Sequence, residues 1–174
     1  MMIRILLVKK NFLISNGAKR IISYFDINFT VEKDKRWMPS EVIINDYEFL
    51  LKKLLENKWL GLILKLKKRF NILKKIPKIK KLIEEGIKTK RLIIIDQKKR
   101  FRAYDISKIS DVSIHASLNG TTSGYESSFY KKPVFFLNRD NWKASCFNVL
   151  DKNEVIFSTL EKLWLELHSN WQET

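Results

Sequence analysis

The chain has 174 residues with 45% apolar and 12% aromatic side chains, enough for one domain with a buried core, which excludes a disordered protein. Its single cysteine, Cys146, excludes an intramolecular disulfide and favours a reducing compartment. No apolar run approaches the roughly 20 residues of a membrane span, and none has the form of a signal peptide, so we expect a cytoplasmic protein.

The net charge of +15 is concentrated in one segment. Residues 51–102 contain 19 Lys or Arg and 4 Asp or Glu, whereas the remaining residues contain 15 of each. Such a local surplus attracts polyanions, which include an anionic membrane surface, nucleic acid and a phosphorylated substrate. The alternative interpretation is a lysine-rich solvated surface without a specific partner.

The first 57 residues combine three predicted elements with a loop. Residues 3–8 are typical of a short buried strand, and residues 17–25 have apolar positions at helical spacing. Residues 26–42 contain a loop, with Pro39–Ser40 as its clearest signal. Asn45 or Asp46 can cap a helix that continues to about Asn57.

The rest of the chain alternates apolar strands with helices. Strands are predicted at 60–64, 92–95, 112–116, 133–137 and, more weakly, 155–157; helices are predicted from Pro77, over 105–110, after residue 121, and at the C-terminus. Strands that are apolar throughout favour a parallel sheet covered on both faces. We therefore predict an α/β fold, a single Rossmann-like domain over residues 1–174, with a mostly parallel sheet and helices on both faces.

Residues 111–137 contain the pattern most informative about chemistry: a strand, a small polar loop, a short helix and another strand. The loop includes Gly120, Thr121, Thr122 and Ser123, which offer backbone N–H groups and hydroxyls with little bulk. Such a loop at a helix start favours a diphosphate, and open α/β sheets bind ligands beyond the carboxyl ends of their strands. Glu126, about one turn into the helix, can accept hydrogen bonds from ligand hydroxyls.

This stretch resembles the C-terminal domain of GT-B glycosyltransferases and their relatives, the UDP-N-acetylglucosamine 2-epimerases and glycerophosphotransferases. Glu126 stands seven residues before Pro133, the spacing of the ribose-binding Glu in that family. Asp111-Val-Ser-Ile resembles the family's Asp-containing strand. The sequence Lys131-Lys-Pro-Val134 replaces the family's Gly-Lys-Pro-Val.

A second match involves lysines after the strand at 60–64. The segment Ile63-Leu-Lys-Leu-Lys-Lys68 resembles a strand that ends in Lys-Pro-His or Lys-Pro-Lys in the surface-polysaccharide branch of the family. Lys65 takes the position of the lysine near the donor phosphates and Lys67 follows it, although Leu66 replaces the proline. The resemblance spans about residues 44–168.

The resemblance implies that the chain is one half of a GT-B fold, the half that binds a nucleotide-diphosphate sugar for surface polysaccharide or lipopolysaccharide synthesis. The acceptor domain is absent, so a separate acceptor-binding subunit is a possible partner, together with peripheral contact to an anionic membrane surface through the basic segment. We expect no nucleic acid partner. The alternatives are a fragment related to CDP-glycerol glycerophosphotransferases and a non-enzymatic basic protein that binds nucleic acid or a membrane surface.

His115 is the candidate for proton transfer, because it ends a strand that points toward the expected crevice. Alternation along the strand could instead place it in the packed interior. The two histidines and one cysteine do not cluster, and Asp96 and Asp111 flank strands where caps and turns are common. We therefore expect no metal site and no cofactor.

Overall fold

The computed structural model describes residues 2–27, 29–30, 38–67, 73, 76–96, 101–118, 122–129, 131–139, 150 and 154–172. The strands are β1 (Arg20–Phe25), β2 (Phe29–Thr30), β3 (Met38–Pro39), β4 (Leu60–Lys65), β5 (Leu92–Ile95), β6 (Val112–His115), β7 (Val134–Leu137) and β8 (Ile156–Phe157). The helices of this part of the chain are α1 (Met2–Ser15), α2 (Ser40–Glu56), α3 (Pro77–Lys88), α4 (Ala103–Ser107), α5 (Thr122–Ser128) and α6 (Leu160–Gln172).

Six strands form one parallel sheet in the order β5-β4-β1-β6-β7-β8, and β2 pairs separately with β3. From β1 the chain moves outward to β4 and β5, then returns to the other side of β1 and moves outward through β6, β7 and β8. This is the doubly wound arrangement, in which the direction of winding reverses between β1 and β6. The predicted fold class, α/β with a parallel sheet covered by helices, is confirmed.

The N-terminal elements differ from the prediction. Residues 3–8, predicted as a strand, belong to helix α1, and residues 17–25, predicted as a helix, contain the central strand β1. A short apolar run does not distinguish a buried strand from a helix, and β1 shows no alternation because both its faces are buried. Gly17, with a φ of 96°, terminates α1 in the left-handed conformation that glycine adopts readily.

The later elements agree with the prediction. Each predicted strand from residue 60 onward is present within one or two residues of its expected bounds, and the helix predicted from Pro77 begins there. The helix predicted over 105–110 spans Ala103–Ser107, and the C-terminal helix begins at Leu160, so that Phe157 belongs to β8. Helix α2 begins at Ser40, earlier than the predicted cap at Asn45 or Asp46, and therefore directly follows β3.

The sheet separates two apolar layers. On one side α2, α3 and α6 pack against the sheet through residues such as Leu54, Ile83 and Leu163. On the other side Leu6 and Leu13 of α1 pack with α4 against the strands. We call the side covered by α1, α4 and α5 the α1 face and the opposite side the α2 face. Within the described ranges, no helix combines the length and hydropathy that a membrane crossing requires.

Candidate functional site

The carboxyl ends of the parallel strands lie together along one edge of the sheet. The strand register places Lys65, Phe25 and His115 side by side at the ends of β4, β1 and β6. Because the winding reverses between β1 and β6, the helices that follow these strands leave toward opposite faces. Open α/β sheets bind ligands in a crevice at such a reversal, and we refer to this position as the crevice.

Lys65 and Lys67 lie beside the end of β1. Lys65 is half-buried at the end of β4, and burial lowers its pKa while the nearby carboxylate of Asp26 opposes that shift. The backbone N–H of Lys67 donates to Oδ1 of Asp26, the residue that follows β1, and the Lys67 side chain is exposed. Asp26 therefore fixes the segment after β4 against the end of the central strand, with both lysines near the crevice.

Asp26 is a buried carboxyl group at the end of β1. The Tyr47 hydroxyl of α2 donates to its Oδ2 at 2.7 Å, and the Lys67 N–H donates to its other oxygen. Burial raises the pKa of Asp26 to about 7, and these two hydrogen bonds limit the increase. Asp26 therefore changes protonation state near neutral pH.

A second Asp–Tyr pair connects β1 to α2, with the tyrosine on the strand and the aspartate on the helix. The Tyr24 hydroxyl of β1 donates to Oδ2 of Asp46 on α2 at 2.5 Å, and the Tyr24 and Tyr47 rings meet edge to face at 5.8 Å. Arg139, which follows β7, donates to the other oxygen of Asp46. Burial raises the pKa of Asp46, and the Arg139 guanidinium opposes that shift. The two reciprocal pairs fix α2 to the central strand beneath the carboxyl edge.

Sequence reasoning missed this polar cluster. Its signal was an aspartate directly after the apolar run 21–25, which indicates a strand-end carboxylate once that run is read as a strand. The helix that the sequence predicts over residues 17–25 places Asp26 in a loop without a role. Asp46 is predicted only as a helix cap, whereas it lies inside α2.

His115 is fully buried between aromatic rings. Its ring stacks on Phe25 at 4.5 Å with an interplanar angle of 8°, and Phe136 lies 5.5 Å away. The Ser127 hydroxyl donates to the Ser123 carbonyl at 2.9 Å, so it accepts the proton of His115 Nε2 at 3.2 Å. Nδ1 then accepts from the Ser123 hydroxyl at 3.2 Å, which describes a neutral imidazole.

Burial lowers the pKa of His115 to about 3. The structure therefore places the His115 ring in the packed interior, which is the alternative that strand alternation allowed. A neutral, fully buried ring with both nitrogens hydrogen-bonded is not available to exchange protons with a ligand in the crevice at neutral pH. The catalytic role predicted for His115 is therefore not part of the function proposed below.

The predicted phosphate loop is described only in part. Gly120 and Thr121 lie outside the described residues. Thr122 begins α5 with an exposed side chain, whereas the half-buried Ser123 directs its hydroxyl to His115. Of the two described loop residues, only Thr122 therefore presents its hydroxyl to solvent.

Glu126 is half-buried, and its carboxylate stays outside the apolar interior. Its Oε2 accepts a hydrogen bond at 3.2 Å from the backbone N–H of Ala103, the first residue of α4. Both α4 and α5 begin at the carboxyl edge, so the carboxylate lies between two helix starts. A carboxylate has about four acceptor positions, and the one used by Ala103 leaves acceptor capacity for ligand hydroxyls.

Asp111, from the predicted strand motif, lies at the opposite edge. Its Oδ2 accepts from the Ile21 N–H at 2.7 Å and so connects the start of β6 to β1. This contact is structural. Among the residues that the structure describes, no group of three or more His, Cys, Asp or Glu could hold a metal ion.

At the carboxyl edge, Lys65 and Lys67 thus lie near Asp26 at the end of β1, and Glu126 contacts the start of α4. The sequence did not single out Asp26. Comparison of the sequence with protein-family models and with curated proteins found no match.

Proposed function

We propose that the chain is the donor-binding half of a GT-B-type glycosyltransferase and binds a nucleotide-diphosphate sugar in the crevice between the carboxyl ends of β1 and β6. The observation that carries the proposal is the reversal of strand order between β1 and β6. The resemblance around residues 111–137 supports a role in surface polysaccharide or lipopolysaccharide synthesis.

In this proposal each charged group at the edge has one task. The residues Gly120 to Ser123 receive the diphosphate, and the ammonium groups of Lys65 and Lys67 neutralise its negative charge. Glu126 accepts hydrogen bonds from the ribose hydroxyls with the oxygen that Ala103 leaves available.

Transfer would be a direct displacement at the anomeric carbon. The bond from that carbon to the diphosphate oxygen breaks as the acceptor hydroxyl forms its own bond to the carbon. The nucleotide diphosphate leaves with the bonding electron pair, and the lysines stabilise its developing charge. The acceptor proton passes to a base on a separate acceptor-binding subunit, so the chain alone binds donor with little turnover. Peripheral contact with an anionic membrane would bring the site to lipid-linked acceptors.

The proposal is tested by calorimetric titration with UDP, with CDP and with a random oligonucleotide. We expect a nucleotide to bind, and the Glu126→Gln variant to bind it about tenfold more weakly, because one charge-assisted hydrogen bond is weakened. Glutamine keeps an oxygen that can accept from Ala103. Glu84→Gln on α3 is the matched control, since Glu84 is exposed away from the carboxyl edge.

Tight oligonucleotide binding without nucleotide binding would replace this proposal with the nucleic-acid alternative. A clear preference for CDP over UDP would favour the glycerophosphotransferase-like alternative at the same crevice. Nucleotide binding that Glu126→Gln and Glu84→Gln leave equally strong would remove Glu126 from the site.

A further inference from the structure

Helix α1 presents apolar side chains to solvent over much of its surface. Leu6 and Leu13 are buried against the sheet, while five other large apolar residues are between 45% and 68% exposed: Ile5, Leu7, Val8, Phe12 and Ile14. A helix that is apolar around most of its circumference is ordinarily covered on its outer side as well. The exposed side of α1 therefore has the composition of a contact surface.

Helix α5 lies on the same face and packs against α4, which in turn contacts α1. Tyr125 on α5 is 51% exposed and Phe129, directly after it, is 76% exposed. Seven of the nine large exposed apolar side chains in the described part of the chain thus belong to α1 or to the α5 segment on the same face. The other two, Ile87 and Leu165, lie on α3 and α6 of the α2 face.

The charges on this side have one sign near α1. Residues 1–25 contain five Lys or Arg and no Asp or Glu. Arg4 is exposed, and Lys9 and Lys10 are half-exposed beside the apolar residues. The buried centre of a protein–protein interface is depleted of charge, whereas a helix at a lipid surface combines large apolar residues with Lys and Arg.

We propose that the α1 face docks on an anionic lipid bilayer, with Val8, Phe12 and Phe129 entering the headgroup region and Arg4, Lys9 and Lys10 adjoining lipid phosphates. The inference rests on the membrane contact included in the proposed function and assigns it to a surface other than the basic segment 51–102. It does not depend on the nucleotide site.

The test is co-sedimentation of the full chain with vesicles of phosphatidylcholine, alone and mixed with phosphatidylglycerol. We expect binding that requires phosphatidylglycerol and weakens with added salt. The double variant Val8→Ser/Phe129→Ser should bind at least about tenfold more weakly, because two apolar side chains no longer enter the bilayer.

The matched control is Ile87→Ser/Leu165→Ser on the α2 face, where the replaced side chains are 51% and 70% exposed. This variant loses similar apolar surface without changing charge, and we expect its vesicle binding to equal that of the unmodified chain. Circular dichroism of both variants verifies that the fold is retained.

Several outcomes would overturn the inference. Equal weakening in the two double variants would exclude a specific role for the α1 face. Binding lost in Lys78→Gln/Lys81→Gln but kept in Val8→Ser/Phe129→Ser would assign the contact to the basic segment. Absence of vesicle binding, with a dimer in sedimentation equilibrium that Val8→Ser/Phe129→Ser dissociates, would make a second copy the occupant. Nucleotide titration of the same samples shows separately whether the donor site is intact.

Discussion

Asp26 and His115 are both buried titratable groups, and burial shifts their pKa values in opposite directions. The pKa of Asp26 rises to about 7 and that of His115 falls to about 3, because the interior favours the neutral form of each group. Their effects on stability oppose each other between about pH 4 and 6.5. The two effects of pH on the free energy of unfolding therefore partly cancel in the unmodified chain, and substitution of each residue separates them.

The Asp26→Asn substitution should remove the pH dependence of stability that Asp26 contributes. In the folded chain Asp26 keeps its proton up to about pH 7, whereas an unfolded aspartate releases it near 3.8. Its contribution to stability is therefore highest at low pH and falls as the pH rises through that window. The free energy of unfolding of the variant, relative to that of the unmodified chain, should therefore rise by up to about 4 kcal/mol between pH 4 and pH 8. Urea unfolding at both pH values measures this difference. A difference in the free energy of unfolding that is the same at pH 4 and pH 8 would contradict the prediction.

The His115→Gln substitution should reveal the opposite dependence. A folded pKa of about 3 against 6.5 in the unfolded chain means that the unfolded state takes up a proton first as the pH falls. Stability linked to His115 is thus fully present above pH 6.5 and is lost below it. The loss in free energy of unfolding caused by His115→Gln should therefore be about 2 kcal/mol smaller at pH 5 than at pH 7. A cost that stays unchanged in urea unfolding would indicate that His115 is charged or accessible.

At the scale of elements, the junctions between helices and strands depend on a few buried polar groups. Arg91, just before β5, is buried, and its Nη1 lies 2.6 Å from the Leu60 carbonyl and 2.7 Å from that of Asn57, with the Leu54 carbonyl at 3.2 Å. One guanidinium thus satisfies carbonyls at the end of α2 and the start of β4.

Arg91→Met should therefore destabilise the chain by about 3 kcal/mol, because it removes the hydrogen bonds that the guanidinium donates to these carbonyl groups. Lys88→Ala is the control, since Lys88 is exposed in the last turn of α3. Thermal unfolding of the two variants gives the comparison. A loss for Arg91→Met no larger than that for Lys88→Ala would show that the carbonyls find other partners.

Periodicity predicts elements well where one pattern dominates. The helix from Pro77 has apolar residues at helical spacing against a lysine-rich exposed side, and the strand at 60–64 is uniformly apolar between polar flanks. The residues of α1 and β1 show neither a helical period against a polar side nor a clearly bounded apolar run. Helix α1 is apolar on its exposed as well as its buried side, and β1 is buried on both faces, so both lack the contrast from which a period is read.

The candidate site follows the same division. Local motifs suggest Lys65, Lys67 and Glu126 as candidates, and their contacts with a ligand stay a prediction. Asp26 has the local signal of a strand-end aspartate once β1 is recognised, whereas the contact of Arg139 with Asp46 joins residues distant in the chain. His115 was assigned correctly to a strand end, but its burial depends on the rings of Phe25 and Phe136, which no local pattern reveals.

At the scale of the whole molecule, strand order gives the two ends of the sheet different roles. The amino edge is closed by structural contacts such as that of Asp111 with β1, while the carboxyl edge collects the lysines, Asp26 and Glu126. The two faces also differ, because the exposed apolar side chains concentrate on the α1 face. In the two proposals the donor site lies at the carboxyl edge and the lipid contact on the α1 face. The α5 segment takes part in both, with Glu126 at the edge and Phe129 on the face.

The most direct test of the donor site is to follow backbone amide resonances by NMR while UDP or CDP is added. We expect the largest shifts at the carboxyl edge, at Lys67, Thr122 and Glu126, and little change at Lys90 and Asp111 of the amino edge. Shifts centred on the amino edge, or none at saturating nucleotide, would contradict it.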